Sequence, residues 1–281
     1  MITDFETNTL FFANSTNTDY LALKDYLKNE GVQIFELEGT KDIWARDYMP
    51  IQVNDNKFVK FAYEPNYLLN DTYRHTITPA ATIEDNCKKI GIDLVSSPIK
   101  VDGGNVIKCD DAVIMTDKIF SENSNYTPMQ LVAEIERLLE CEVLLIPFDK
   151  YEGVYGHADG VLRYLGNNEL LLAEYGDDDY LNAVKKALGN KFAYKQLHIG
   201  RCDRKNKDRL WSYINYIQTK NFIILPALTE NGEGEEDVAA LEQFRQLFPT
   251  YNKKNCIIQA YALPILKMEG GLHCCSWNVK L

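Results

Sequence analysis

TPMQLVAEIERLLECEVLLIPF, residues 127–148, runs two structural rhythms back to back. Through residue 140 apolar and charged positions alternate with the period of an amphipathic helix. EVLLIPF is then an apolar run of strand length. The same succession recurs along the chain. Helical patterning is expected at 18–30, 80–90, 127–140, 178–189 and 234–248, followed by VQIFELE, IDLVSS, EVLLIPF, FAYKQLHI and NCIIQAYAL. Further strands are read at KFVKFAY, AVIMTD, ELLLAEY and NFIILPAL. Five such units in 281 residues give a repeat of about 56, a fixed period that points to a ring or repeat architecture rather than a doubly wound sheet. No G-x-G-x-x-G follows the first strand, which weakens a dinucleotide-binding reading further. No Pro/Gly/Ser linker divides the chain, so residues 1–281 read as one α/β domain.

With 46% hydrophobic and 11% aromatic residues the chain can bury a substantial core. No apolar run approaches the ~20 residues of a membrane span. The opening MITDFETNTL is acidic where a secretory signal is basic and then greasy, so a cytoplasmic location is expected. The seven cysteines are Cys87, Cys109, Cys141, Cys202, Cys256, Cys274 and Cys275. Their odd number and irregular spacing suggest no disulfide framework, and no C-x-x-C pair offers a zinc knuckle. A formal charge of −11 argues against nucleic acid as partner. It suits a cationic ligand, although solubility alone explains it too. A homo-oligomer is compatible with this composition.

Four loops hold residues that a core does not ask for. DIWARDYMP carries Trp44, Arg46, Asp47 and Pro50, either an ion pair at a strand start or part of a site. VDGGNV, from Asp102 to Val106, has a glycine pair that makes a plain turn or lets backbone approach a ligand closely. In YGHADGVLRY, His157 and Asp159 stand two apart; in an extended segment that spacing places both on one face, and Arg163 joins them if the strand continues. EGGLHCCSWNVKL closes the chain with Cys274 and Cys275 after a glycine pair.

A thiolate attacks an electron-poor carbon when its pKa is lowered or a base stands near. Two carboxylates grip a planar cation through paired, charge-assisted hydrogen bonds, the fork a guanidinium demands. A histidine protonates a departing amine and then activates water. Cysteine, histidine and two aspartates therefore fit covalent chemistry on a guanidinium. An open zinc site from His157, Asp159 and a cysteine is the competing arrangement.

Five motifs then stand in order: W-x-R-D-x-x-P (Trp44–Pro50), D-G-G-N (Asp102–Asn105), G-H-x-D (Gly156–Asp159), S-Y-I-N (Ser212–Asn215) and G-G-x-H-C (Gly270–Cys274). Together they resemble agmatine deiminases and the bacterial type of peptidylarginine deiminase, members of the guanidino-group-modifying superfamily. The resemblance runs from about residue 40 to the end of the chain. It implies a five-bladed, pseudo-symmetric α/β propeller of the pentein type. It also implies a hydrolase that uses neither metal nor organic cofactor and acts on a small cationic guanidino substrate. Cys274 matches the nucleophile, His157 the general acid/base, and Asp47 with Asp159 the guanidinium-binding pair. Asp102 falls where the family more often has the glutamate that orients the histidine. Asn215 resembles an active-site asparagine, Trp44 a pocket wall, and Arg46 a support for the Asp47 loop. Cys275 reads as packing. The expected reaction is agmatine to N-carbamoylputrescine and ammonia. Deimination of peptidyl arginine to citrulline, or amidino transfer to an amine, are the alternatives on the same site.

Overall fold

A computed structural model describes residues 1–149, 156–174, 178–199 and 207–281. Tyr155, Tyr175 and Cys202, named in the stretches above, lie outside them. In chain order the strands are β1 (Thr9–Ala13), β2 (Ile34–Leu37), β3 (Ile51–Asn54), β4 (Lys57–Ala62), β5 (Leu94–Lys100), β6 (Ile107–Lys108), β7 (Ala112–Thr116) and β8 (Glu142–Ile146). They continue as β9 (Leu162–Gly166), β10 (Glu169–Leu172), β11 (Ala193–Gln196), β12 (Ile217–Gln218), β13 (Ile223–Ala227), β14 (Ile257–Tyr261) and β15 (Ser276–Val279). Five crossover helices, α1 (Thr18–Asn29), α2 (Ala80–Lys89), α3 (Pro128–Leu139), α4 (Asp178–Leu188) and α5 (Glu235–Leu247), occupy the five expected places.

The stretch quoted first shows why. Thr127 caps α3 by accepting from the Gln130 amide, Gln130 reaches back to the cap, and Pro128 takes the first turn where its missing N–H costs nothing. Leu131, Ile135, Leu138 and Leu139 are buried, one face at helical spacing. Glu140 then turns left-handed (φ 57°) and releases the chain into β8.

The strands form five three-stranded sheets, β15-β1-β2, β3-β4-β5, β6-β7-β8, β9-β10-β11 and β12-β13-β14. In each, the first strand runs antiparallel to the second, and the helix crosses over to a third strand parallel to the second. Apolar clusters tie each sheet to the next. Val59 and Val113 belong to one cluster, Ile114 and Leu170 to a second, and Leu171, Ile223 and Leu10 to a third. Phe11 and Trp277 then pack with Phe58, which closes the ring of five blades. The two ends of the chain close it through strand pairing as well, since β15 hydrogen-bonds to β1 and completes its blade, with Thr9 opposite Val279 and Phe12 opposite Ser276.

Each of the five motifs lies between two blades, just before a first strand. Trp44–Asp47 precedes β3, Asp102–Asn105 precedes β6, His157–Asp159 precedes β9, Ser212–Asn215 precedes β12, and Gly270–Cys274 precedes β15. The expected repeat and the motif order are therefore one fact. The chain returns to the same end of the ring once per blade.

Candidate active site

Asp47 sits on a one-turn helix, Ala45–Tyr48, and is buried. Its Oδ1 accepts the Gly104 N–H at 2.9 Å, which binds the first motif to the second. The glycine is required by that approach. A Cβ on Gly104 would lie 2.8 Å from Asp47 Oδ1, 2.8 Å from His157 Nδ1 and 3.3 Å from Asp159 Oδ2. Polar atoms from two blade junctions thus surround one point on a third. The neighbouring Gly103 would drive a Cβ to 2.0 Å from the Arg46 carbonyl oxygen.

His157 Nε2 is 3.0 Å from Asp102 Oδ2, and its Nδ1 is 3.6 Å from Asp47 Oδ1. Burial opposes the imidazolium, but Asp47 and the hydrogen bond to Asp102 outweigh it and raise the pKa. Asp102 moves the other way. Burial pushes it up, yet its bond with His157 and the charge of Lys118 hold it below the ordinary carboxylate value. Lys118 Nζ and the Tyr67 hydroxyl reach the same Oδ2 at 3.4 and 3.3 Å.

Cys274 Sγ lies 3.6 Å from Asp159 Oδ2 and 3.4 Å from Asn215 Oδ1. Burial first, then Asp159 and Asp47, push its pKa well above the usual 9.0. Asn215 Oδ1 also accepts the His273 and Cys274 amides at 2.9 and 3.3 Å, while its Nδ2 donates to the Asp159 carbonyl. The asparagine therefore fixes the backbone on either side of the sulfur. Asp47 is pushed up to about 7 by burial and by Asp102 and Asp159, against the pull of His157.

These groups open into a cavity of about 370 Å³. Trp44, Tyr63, Tyr67 and Trp211 contribute aromatic surface, and Asp42, Asp149 and Glu269 add acids beyond the central pair. Gly270 is the contact for the Trp44 ring, where a Cβ would come within 2.3 Å. Among the described lining residues none is Lys or Arg. Among the described residues no cluster of three or more His, Cys, Asp or Glu has the arrangement of a metal site.

All seven residues singled out from the sequence, Trp44, Asp47, Asp102, His157, Asp159, Asn215 and Cys274, come to this end of the ring. Six line the cavity, and Asp102 stands behind His157. Two local expectations are corrected. His157 and Asp159 do not share a strand face, because Ala158–Gly160 is a 3-10 turn that swings Asp159 toward the sulfur. Arg163, inside β9, is not beside them in the cavity; it bonds Asp4 and the Tyr216 carbonyl and stacks on the Tyr216 ring. Arg46, expected to support the Asp47 loop, ties that loop to the last motif. Its amide donates to the Cys274 carbonyl, and its guanidinium to the His273 carbonyl and Asn278. Cys275 is fully buried among Leu272 and other core residues.

Sequence reasoning passed over Asp42, Tyr67, Lys118 and His273. His273 stood inside a motif, between glycines and the cysteine, and so was visible. The others carry no local pattern.

The chain belongs to the Porphyromonas-type peptidyl-arginine deiminase family, whose model matches residues 1–279. That places it among the guanidino-group-modifying hydrolases. The fold is similar to that of C. jejuni agmatine deiminase, with a TM-score of 0.78 at 18% identity over 99% of this chain and 94% of that one. It is also similar to the agmatine deiminase of Enterococcus faecalis (0.73, 13%, 98% and 93%). DDAH from Pseudomonas aeruginosa, complexed with citrulline, shares the architecture more distantly (0.59, 12%, 98% and 100%). A comparison with curated proteins gives no match.

Proposed function

We propose that the protein deiminates a small guanidine through a covalent intermediate on Cys274, with agmatine as substrate. The observation that carries this reading is the meeting of Asp47, His157 and Asp159 around one point, with Cys274 Sγ against Asp159. Two buried carboxylates with a space between them fit one flat cation.

The cation also answers the electrostatics of these acids and the thiol. Asp47 is held against ionisation by burial and by its acidic neighbours, and the Cys274 thiol is held neutral. A guanidinium between the acids offsets their charge, so both carboxylates and the thiol ionise more readily once it binds. The sulfur attacks the guanidinium carbon, ammonia departs with a proton from His157, and an S-alkylthiouronium remains. Water, deprotonated by His157, then attacks the same carbon. The ureido product leaves and Sγ returns as thiol. The carboxylates hold the positive charge throughout, which favours the tetrahedral states as well as binding. Asp102 keeps the His157 ring in orientation from behind.

Agmatine is favoured over free arginine by the acids and aromatic rings of the cavity. An alkyl chain suits Trp44 and Trp211, and a distal ammonium suits Asp42, Asp149 or Glu269, whereas a carboxylate meets no cation among the described lining residues. Peptidyl arginine is the second reading, favoured by the family match. The reading includes a cytoplasmic location, where free cysteines such as Cys87, Cys109 and Cys275 stay reduced.

The test compares agmatine, arginine and a short arginine peptide, measuring ammonia and ureido product, with Cys274→Ser and Cys275→Ser beside the wild type. Agmatine should be turned over best, by the wild type and Cys275→Ser alone. No turnover of any guanidine, or full activity in Cys274→Ser, overturns the reading.

A further inference from the structure

Behind Asp159 lies a second, fully buried layer of charge. His273 Nδ1 is 2.6 Å from Asp159 Oδ2, the same oxygen that faces Cys274 Sγ. The opposite ring nitrogen, Nε2, is 3.3 Å from Asp4 Oδ2, off the direction of a hydrogen bond. Asp4 comes from the other end of the chain, on a 3-10 turn (Asp4–Glu6) locked by Thr3 and Glu6. Lys108 of β6, Arg163 of β9 and Asn278 of β15 all converge on it. These three occupy first strands of three different blades, so Asp4 plugs the ring where those strands meet.

Burial, then Arg163 and Arg46, hold the His273 imidazole below its ordinary pKa. A neutral ring so placed carries its proton on Nδ1 and donates it to Asp159. Asp159 in turn stays below the ordinary carboxylate value despite its burial, chiefly through His273. His273 is not among the residues lining the cavity, and its amide is tied to Asn215. Its side chain reaches toward the cavity through Asp159.

We propose that His273 is a positioning residue that clamps Asp159 Oδ2 through its Nδ1–H, fixing the carboxylate at the angle at which it grips a guanidinium. The inference rests on the reading of Asp159 as half of that grip. A carboxylate on a 3-10 turn has rotational freedom about its Cα–Cβ and Cβ–Cγ bonds. The clamp removes it and fixes Oδ2, the oxygen that faces Cys274 Sγ. A shift of a reacting group by about 1 Å costs roughly 100-fold in rate, so loss of the clamp should be large although His273 touches no substrate.

The experiment exploits the two ring nitrogens. Asparagine places an N–H near the position of Nδ1, toward Asp159, while glutamine places one near Nε2, toward Asp4. His273→Ala, His273→Asn and His273→Gln are compared with wild type for kcat and KM on agmatine. Agmatine binding by calorimetry is measured in each with Cys274→Ser added. The expectation is a loss of about 100-fold in kcat/KM for alanine and glutamine, with recovery of roughly 10-fold by asparagine, and weakened binding in the same order. If the alanine variant fails to fold, the asparagine–glutamine comparison carries the test. Equal activity of asparagine and glutamine variants, or kcat/KM within about three-fold of wild type in a folded alanine variant, overturns the clamp. A wild type that neither binds nor converts any guanidine removes the functional reading itself, and the inference with it.

Discussion

Asp42 and Asp47 are acids that the fold holds against their own ionisation. Burial, with Asp47 and Asp102 nearby, pushes Asp42 from 3.8 up to about 7, although the Trp44 amide and Tyr63 hydroxyl favour its charge. The folded chain therefore keeps this proton where the unfolded chain has lost it. Between those two values stability falls as pH rises. Asp42→Asn keeps the acceptor for the Trp44 amide and removes the ionisation. It should raise the melting temperature at about pH 8, with the gain shrinking on acidification and gone near about pH 4. A loss that is equal at both pH values contradicts this account. The thiol gives a second check. Because burial, Asp159 and Asp47 hold Cys274 neutral, alkylation of the free enzyme by a neutral reagent should be slow at neutral pH and climb only beyond the ordinary thiol range. An inflection below neutrality in the free enzyme rules that out.

The elements divide into those the sequence states and those it hides. The five crossover helices were legible because each buries one stripe, as Leu131, Ile135 and Leu138 do in α3. The first strands were not: β3, β6, β12 and β15 are absent from the strands read, and β9 entered only as an extension of the G-H-x-D segment. Ile107–Lys108 and Ile217–Gln218 are two residues long, and in β9 Arg163 breaks the apolar pattern; Lys108, Arg163 and Gln218 are buried polar residues. Alternation also misread G-H-x-D, since a glycine-bounded triplet has no period to separate a turn from a strand. The junction loops are where the glycine pairs earn an explanation. A Cβ at Gly103 meets the Arg46 backbone, which cannot yield, whereas one at Gly104 meets the side chains of Asp47, His157 and Asp159. Gly103→Ala should destabilise the fold. Gly104→Ala should melt close to wild type yet lose at least about 100-fold in activity, because its methyl occupies the substrate's place. An active Gly104→Ala variant removes the substrate from that point.

At the scale of the whole molecule, the ring explains why motifs scattered over 230 residues or more form one site, Trp44 and Cys274 being the extremes. Each blade returns the chain to one face, and β15 carries the cysteine home by pairing with β1. The motifs were readable without the fold; their meeting was not, and neither was the partnership of His273 with Asp4, which lies 269 residues earlier in the chain. Closure depends on Trp277, buried against Phe11 with its Nε1–H on the Pro50 carbonyl at 2.9 Å. Trp277→Ala should cost about 3–5 kcal/mol in urea denaturation, and a cost under about 1 kcal/mol would mean that closure is held elsewhere.

The central claim is a bond between Cys274 Sγ and a guanidinium carbon. Wild-type protein mixed with agmatine is quenched in acid during turnover, digested, and weighed by mass spectrometry. The account predicts an adduct equal to the substrate less ammonia on the peptide that carries Cys274. That adduct should be absent from Cys274→Ser and should decay as ureido product accumulates. Steady turnover with that peptide always unmodified, or an adduct on Cys275 instead, would contradict it.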